Sequence, residues 1–298
     1  MKAAAFAYCR PATVEDTVAE LQREEAKVIA GGQSLVPVLA MRLARPRTLV
    51  DINSVAGLGR LDLDDDALRI GATVRQRCVE LDARAGVVPL LRLALPSVGH
   101  RELRSRGTVC GSLAHDDPAA ELPSVLACLG GSVEITGPTG FRRVTADQFF
   151  LAAMTTATQP HELVTAAFFP IARRGEGFGF GEFARRHGDF ALAGVCVKVS
   201  MAQAIVATIA CFGVADGPVV RDVSGLLESM LTDGPDTTED TVRDGISAVA
   251  GDLAYDIVDT DGDVHASREY RRTLLSVLLS REIARAYHDA VRSMREVS

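Results

Sequence analysis

The sequence predicts a mixed helix-and-strand protein built from two or three packed units. Three observations predict it: a strand, glycine turn, helix and strand in close succession near the N-terminus, two long apolar strands after residue 190, and three amphipathic helices that close the chain. The 298 residues suffice for one large core or two modest ones.

Taken in order, Thr13 opens the first helix as its N-cap, with Asp16 in the capping-box position and Val14, Val18 and Leu21 on one face. Val28, Ile29 and Ala30 read as a short buried strand, which Gly31, Gly32, Gln33 and Ser34 break. Residues 35–43 resume a helical pattern, with Pro37 tolerated in the first turn, and residues 48–52 form the next strand. A second unit opens with a strand at 67–70, a helix capped by Thr73 and running to about residue 84, and an apolar helix at 89–95. Residues 101–113 are polar and punctuated by glycine. Asp117 then starts a helix as N-cap, with Pro118 at the first position and Glu121 in the first turn. Leu122, Val125, Leu126 and Leu129 are its buried stripe, and Gly130-Gly131 stops it.

Residues 132–136 and 141–144, joined by Gly137-Pro138-Thr139-Gly140, form a hairpin, and residues 163–169 are a strand ended by Pro170. Arg173-Arg174-Gly175-Glu176-Gly177 marks a domain boundary. Beyond it, residues 191–201 and 204–214 pair as antiparallel strands through Ala202-Gln203. Helices follow at 222–231, 237–249 and 267–297, the last with Leu274, Leu275, Val277, Leu278, Ile283 and Ala284 on its apolar side.

Composition narrows the function. With 47% hydrophobic and 24% charged residues the chain is neither fibrous nor disordered, and a net charge of −7 gives no field that would draw in nucleic acid or anionic lipid. The longest apolar stretch, residues 204–215, falls short of the roughly 18–20 residues of an integral membrane segment. Arg10 interrupts the apolar run behind Lys2, so no secretory core forms and a cytoplasmic location is expected. The six cysteines (Cys9, Cys78, Cys110, Cys128, Cys196, Cys211) never stand at C-x-x-C spacing, which argues against zinc or iron–sulfur binding and for small buried hydrophobes.

Two glycine turns, about 75 residues apart, each precede a helix. Unpaired amides and a positive dipole end at such a turn let the backbone close on phosphate, and two of them could hold a pyrophosphate from both sides. Either alone could equally be a tight turn needing positive φ. Asp51, ending the next strand, suggests a dinucleotide fingerprint, but Gly31-Gly32-Gln33-Ser34 lacks its third glycine; no Gly-Lys-Ser/Thr follows for a P-loop. His115-Asp116-Asp117 is a poor metal cluster, and no Ser or Cys stands in a nucleophile elbow. The segment Arg185-Arg186-His187-Gly188-Asp189-Phe190-Ala191 is either a solvated turn or one whose arginines face a cofactor phosphate or a partner subunit.

Three sets of residues carry a resemblance. They are Lys27-Val28-Ile29-Ala30-Gly31-Gly32-Gln33-Ser34-Leu35 with Arg45-Pro46 and Leu49-Val50-Asp51-Ile52, Arg106-Gly107-Thr108-Val109-Cys110-Gly111-Ser112 with the 114–123 segment, and the 183–191 segment. Together they resemble the FAD-binding medium subunits of the molybdenum hydroxylases, a family that includes bacterial carbon monoxide dehydrogenase and the flavin portion of xanthine dehydrogenase. The resemblance implies an α+β fold: a vanillyl-alcohol-oxidase-like (PCMH-like) FAD-binding domain over residues 1–175, in subdomains of about 1–57 and 58–175, then a C-terminal α+β domain over 176–298 with an antiparallel sheet and helices. FAD would lie extended between the subdomains.

By resemblance, Ala30, Gly31, Gly32, Gln33, Ser34 and Leu35 match the first FAD loop, with Lys27 and Val28 leading into it. Thr108, Val109, Cys110, Gly111 and Ser112 match the second, Glu121 an acidic contact to an FAD ribose hydroxyl, and Val164 an apolar residue bordering the flavin. Cys110 stands where relatives often have glycine, and Gly181 follows Phe180 where xanthine dehydrogenase has lysine. No catalytic acid or base and no metal ligand is expected. The chain would be the flavin end of an electron chain: a large molybdenum-binding subunit with molybdopterin oxidises substrate, a small subunit with 2Fe–2S clusters relays electrons, and FAD here delivers them to an external acceptor. Assembly as a dimer of heterotrimers is implied. The alternatives are a self-contained FAD oxidoreductase of the same fold and a scaffold subunit without FAD.

Overall fold

In the computed structural model, which describes residues 2–230 and 238–295, the N-terminal segment builds a three-stranded parallel sheet. Thr48–Asp51 is its centre, with Ala7–Cys9 on one side and Ala26–Ile29 on the other. The strand Ala7–Cys9 has no counterpart in the sequence reading, since three half-exposed residues carry no periodicity. Thr13 caps the helix Val14–Leu21 as expected: its Oγ1 accepts the Asp16 N–H at 3.0 Å and donates to Asp16 Oδ2 at 2.7 Å. The glycine turn leads into the helix Leu35–Ala40, which stops short of residue 43. Arg42 takes a left-handed φ of 60°, and the amides of Arg42 and Leu43 donate back to the carbonyls of Leu39 and Val38. This is a Schellman stop made without glycine, so no sequence signal announces it.

A five-stranded antiparallel sheet follows, in the order Leu61–Asp64, Ala67–Gly71, Leu163–Pro170, Ser132–Gly137, Gly140–Thr145. The central strand Leu163–Pro170 is buried almost throughout, and the hairpin falls where it was expected. Two helix starts differ. Thr73 caps nothing; the helix is Gln76–Leu81, because the residues before it pair instead with the second glycine segment through an Arg75–Thr108 bridge. Residues 101–113 are not an open loop: they form the helices Arg101–Arg104 and Val109–His115, and Thr108 caps the second by accepting the Gly111 N–H at 3.0 Å.

The chain folds into two compact units. The first comprises Met1–Ala85, His100–Asp116 and Gly130–Pro170; the second comprises Gly86–Gly99, Asp117–Leu129 and Ile171–Ser298. In the second, Asp117 Oδ1 accepts the Ala119 N–H at 2.9 Å and so caps a turn; the helix begins one turn later, at Glu121–Leu129. Its stripe of Leu122, Val125, Leu126 and Leu129 is buried as predicted.

The second unit carries a four-stranded antiparallel sheet, Glu176–Phe183, Ala193–Ser200, Val206–Phe212, Val219–Asp222. The middle pair was expected; the outer two were not. Glu176–Phe183 alternates glycine with larger residues, and its glycines face the C-terminal helix Arg268–Arg295. A Cβ on Gly177 would lie 2.0 Å from the Ala286 carbonyl oxygen, and one on Gly179 would lie 2.3 Å from that of Glu282. Glycine therefore lets the helix backbone touch the sheet, which is why a weak strand former stands in a strand.

The helices are Ser224–Met230, Glu239–Ile257 and Arg268–Arg295; the predicted end residues Leu231, Thr237 and Val297 lie outside the described residues. Leu275, Leu278, Ile283 and Ala284 join Val195, Ile209, Ile246 and Tyr287 in the core. Val277 is 51% exposed instead, because it lies about 200° around the helix from Leu275. No helix among the described residues is long and apolar enough to cross a membrane.

Candidate functional site

A cleft of about 440 Å³ opens in the first unit where the strand Ala26–Ile29 runs into its glycine turn. Ala30, Gly31, Gly32 and Gln33 form one wall, Tyr8, Asp51 and Asn53 another, and Arg106 borders a third side. Gly32 adopts a φ of 73°, which a side chain would strain. Gly31 is required for a different reason: a Cβ there would lie 2.3 Å from the Arg106 carbonyl oxygen and 2.8 Å from the Gly107 Cα. The two glycine segments, far apart in sequence, thus pack backbone to backbone. The Val36 amide donates to the Gly32 carbonyl and Pro37 has no amide proton, while the amides of Gly32, Gln33 and Ser34 have no acceptor among the described residues.

A polar network braces this arrangement. Asp51 Oδ1 accepts from Asn53 N at 2.9 Å and Nδ2 at 2.6 Å, its Oδ2 accepts the Tyr8 hydroxyl, and Arg10 lies 3.5 Å away. Burial pushes the Asp51 carboxyl up, but the hydrogen bonds from Tyr8 and Asn53 outweigh it and hold the pKa below the usual carboxylate range. The same Asp51 bond pushes the Tyr8 phenol above its usual value. Beside the second segment, the Arg104 guanidinium grips Glu80 through bonds of 2.9 and 3.2 Å, fixing the helix Arg101–Arg104 on Gln76–Leu81.

Of the residues singled out in the sequence, Ala30, Gly31, Gly32 and Gln33 line the cleft. Lys27, Val28, Ser34 and Leu35 flank it without lining it. Thr108, Val109 and Cys110 are buried, and only Gly111 and Ser112 are partly exposed. Cys110 is turned away from the loop surface: it sits in a helix, 2% exposed, and its thiol donates to the Ile70 carbonyl at 3.3 Å. Val164 is buried in the five-stranded sheet, beside a bulge, and does not line this cleft. Glu121 belongs to the second unit, where it is 6% exposed. Tyr8, Asn53 and Arg106 line the cleft without being among the expected site residues, and Asp51 was expected only as part of a dinucleotide fingerprint. Arg106 adjoins the quoted glycines and was the one of these that adjacency signalled.

In the second unit, the segment 185–191 lines a hollow with Asp263, His265 and the buried Arg271. Arg185 is 4.0 Å from Asp189, a weak exposed pair, so the segment is at least in part a solvated turn.

A strand, glycine turn and helix with a second glycine segment against it offer backbone amides of the kind that take a phosphate group. The comparisons name the cofactor. Residues 4–172 match the FAD binding domain in molybdopterin dehydrogenase, and residues 178–286 the CO dehydrogenase flavoprotein C-terminal domain. The nicotine 6-hydroxylase medium subunit of Paenarthrobacter nicotinovorans is 38% identical over 289 residues, 96% of this chain and 99% of the relative. The carbon monoxide dehydrogenase medium chain of Afipia carboxidovorans is 32% identical over 287 residues, 94% of this chain and 96% of the relative. A solved structure of quinoline 2-oxidoreductase from Pseudomonas putida 86 superposes with a TM-score of 0.86 at 32% identity, covering 98% of this chain and all of the other.

The chain belongs to the FAD-binding medium subunits of the molybdenum hydroxylases. It is the FAD-dependent oxidoreductase component, the medium subunit, of a multi-subunit molybdenum hydroxylase. The residues present fit the cofactor's pyrophosphate: free amides in the first glycine turn, a glycine that admits close approach, and an arginine, Arg106, among the lining residues.

Proposed function

We propose that this chain ends the electron path of a cytoplasmic dimer of heterotrimers, with the FAD pyrophosphate held between residues 30–35 and the 108–112 segment. The observation that supports this most directly is the backbone contact of Gly31 with Arg106 and Gly107 beside free amides. Bound FAD supplies the step between one-electron transfer from a 2Fe–2S cluster and delivery to an external acceptor. The chain's residues bind and orient. Amides of Gly32, Gln33 and Ser34 donate to phosphate oxygens, Arg106 adds a positive charge, and Lys27 and Val28 hold the strand that leads in. Residues 1–175 serve as the flavin domain and 176–298 as its C-terminal companion.

Copurification with the partner subunits should yield a flavin absorption spectrum and a single FAD per chain; a colourless, flavin-free complex would sink the proposal. Replacing Gly32 by a bulky residue, which meets positive φ and Val36 Cγ2 at 3.2 Å from the Cβ position, should abolish flavin retention. Undiminished FAD content would remove the loop from the site.

A further inference from the structure

The two glycine segments do not hold each other by their own contacts alone. The chain between Val74 and Gln76 runs alongside the second segment: the Val109 N–H donates to the Val74 carbonyl at 3.4 Å, and the Gln76 N–H donates to the Gly107 carbonyl at 2.9 Å. Between them, the Arg75 side chain leaves this ladder and reaches across. Its Nη1 donates to the Arg106 carbonyl at 2.5 Å, the same oxygen that lies 2.3 Å from where a Cβ on Gly31 would be. Its Nη2 donates to Asn53 Oδ1 at 2.6 Å, and Asn53 Nδ2 donates in turn to the Ala30 carbonyl at 2.8 Å.

We infer that Arg75 and Asn53 act as one positioning clamp, a bridge of hydrogen bonds from the Arg106 carbonyl to the Ala30 carbonyl that sets the spacing of the two FAD loops. This rests on the reading that those loops hold the flavin. The Ala30 carbonyl opens the turn whose Gly32, Gln33 and Ser34 amides are free, and the Arg106 carbonyl fixes where the second segment packs on Gly31, so the bridge holds those amides in direction and place. Phosphate recognition by amides is sensitive to such direction, since a misaimed N–H loses most of its bond. The planar guanidinium suits the task because its fork fixes two acceptors at once, which an ammonium group cannot do. Half-burial and the neighbouring Arg106 guanidinium both pull the Arg75 pKa down from its usual value, and both costs are what an arginine held in place for geometry incurs.

The test uses the full chain with its partner subunits, the variants Arg75→Met, Asn53→Ala, their double variant and Arg75→Lys, and two measurements: the FAD dissociation constant and the melting temperature of the flavin-free form. Each single variant should weaken FAD binding about 10- to 100-fold, the loss of a charge-assisted bond. The double variant should fall short of the product of the two losses by about 10-fold, because either end breaks the same bridge. Arg75→Lys keeps the charge and should still lose FAD. Flavin-free melting should move little in all four.

Unchanged FAD affinity, losses that simply multiply, full affinity in Arg75→Lys, or a flavin-free melting loss that matches the binding loss would each overturn the clamp. Should Arg75→Met fail to fold, Asn53→Ala and Arg75→Lys decide by the same criteria. Retention of FAD in the clamp variants but not in Gly32 variants would overturn the clamp and leave the site standing. Absence of FAD from the wild-type complex would instead overturn the site on which the clamp rests.

Discussion

Cys110 shows how the side chain of a residue in a binding motif can serve packing. Its helical backbone leaves the side chain inside the first unit, and burial pushes the thiol up to about 12. At pH 8 it should resist iodoacetamide in the native protein, whereas the exposed Cys78 should react; mass spectrometry before and after denaturation checks both. Cys110→Ala should cost about 1 kcal/mol of stability and leave FAD content unchanged. Glu182 makes the opposite point about pH. Burial, then the charge of Glu121, pushes its carboxyl up to about 8, so the folded protein holds a proton that the unfolded chain has lost above its ordinary value of 4.5. Stability from this group is therefore lost as pH rises between those two values. Glu182→Gln should melt higher than wild type at pH 8, with the gap closing toward pH 4. At this scale the sequence marked Gly31 and Gly32 by type, but Arg75 and Asn53 carried no signal, because their partners lie 31 and 23 residues away.

Among elements, those with a local period were legible and those defined by a neighbour were not. The Thr13-capped helix, the glycine-linked hairpin and the long C-terminal helix follow from cap, turn and apolar stripe. The Glu176–Phe183 strand does not, since its glycines make sense only against the helix that covers them. That contact separates two substitutions of one type. Gly179→Ala drives a methyl into the Glu282 backbone and should cost about 2–4 kcal/mol in thermal denaturation. Gly181→Ala meets only the Glu282 side chain, with a nearest approach of 2.9 Å, and should cost about 1 kcal/mol. The helix that stops at Ala40 is a parallel case, ended by a left-handed Arg42 rather than by any residue a sequence rule would flag.

For the whole molecule, cofactor binding and folding are linked. Because FAD binds the native state, its removal should lower the melting temperature, and readdition at 100 times the dissociation constant should restore about 2.7 kcal/mol, measurable by a melting series against FAD concentration. The amino-acid sequence by itself determined the α+β character, the glycine turns and the family, through apolar spacing, turn chemistry and motifs confined to a few neighbouring residues. It also located one wall of the cleft, Ala30 to Gln33. Tertiary structure alone decided that segments 86–99 and 117–129 join the second unit, that Cys110 faces inward, and that Arg75 and Asn53 tie one glycine segment to the other. The reason is physical: periodicity records which face of an element is buried, whereas a hydrogen bond between distant residues depends on where the folded backbone brings them, and no spacing along the chain encodes that.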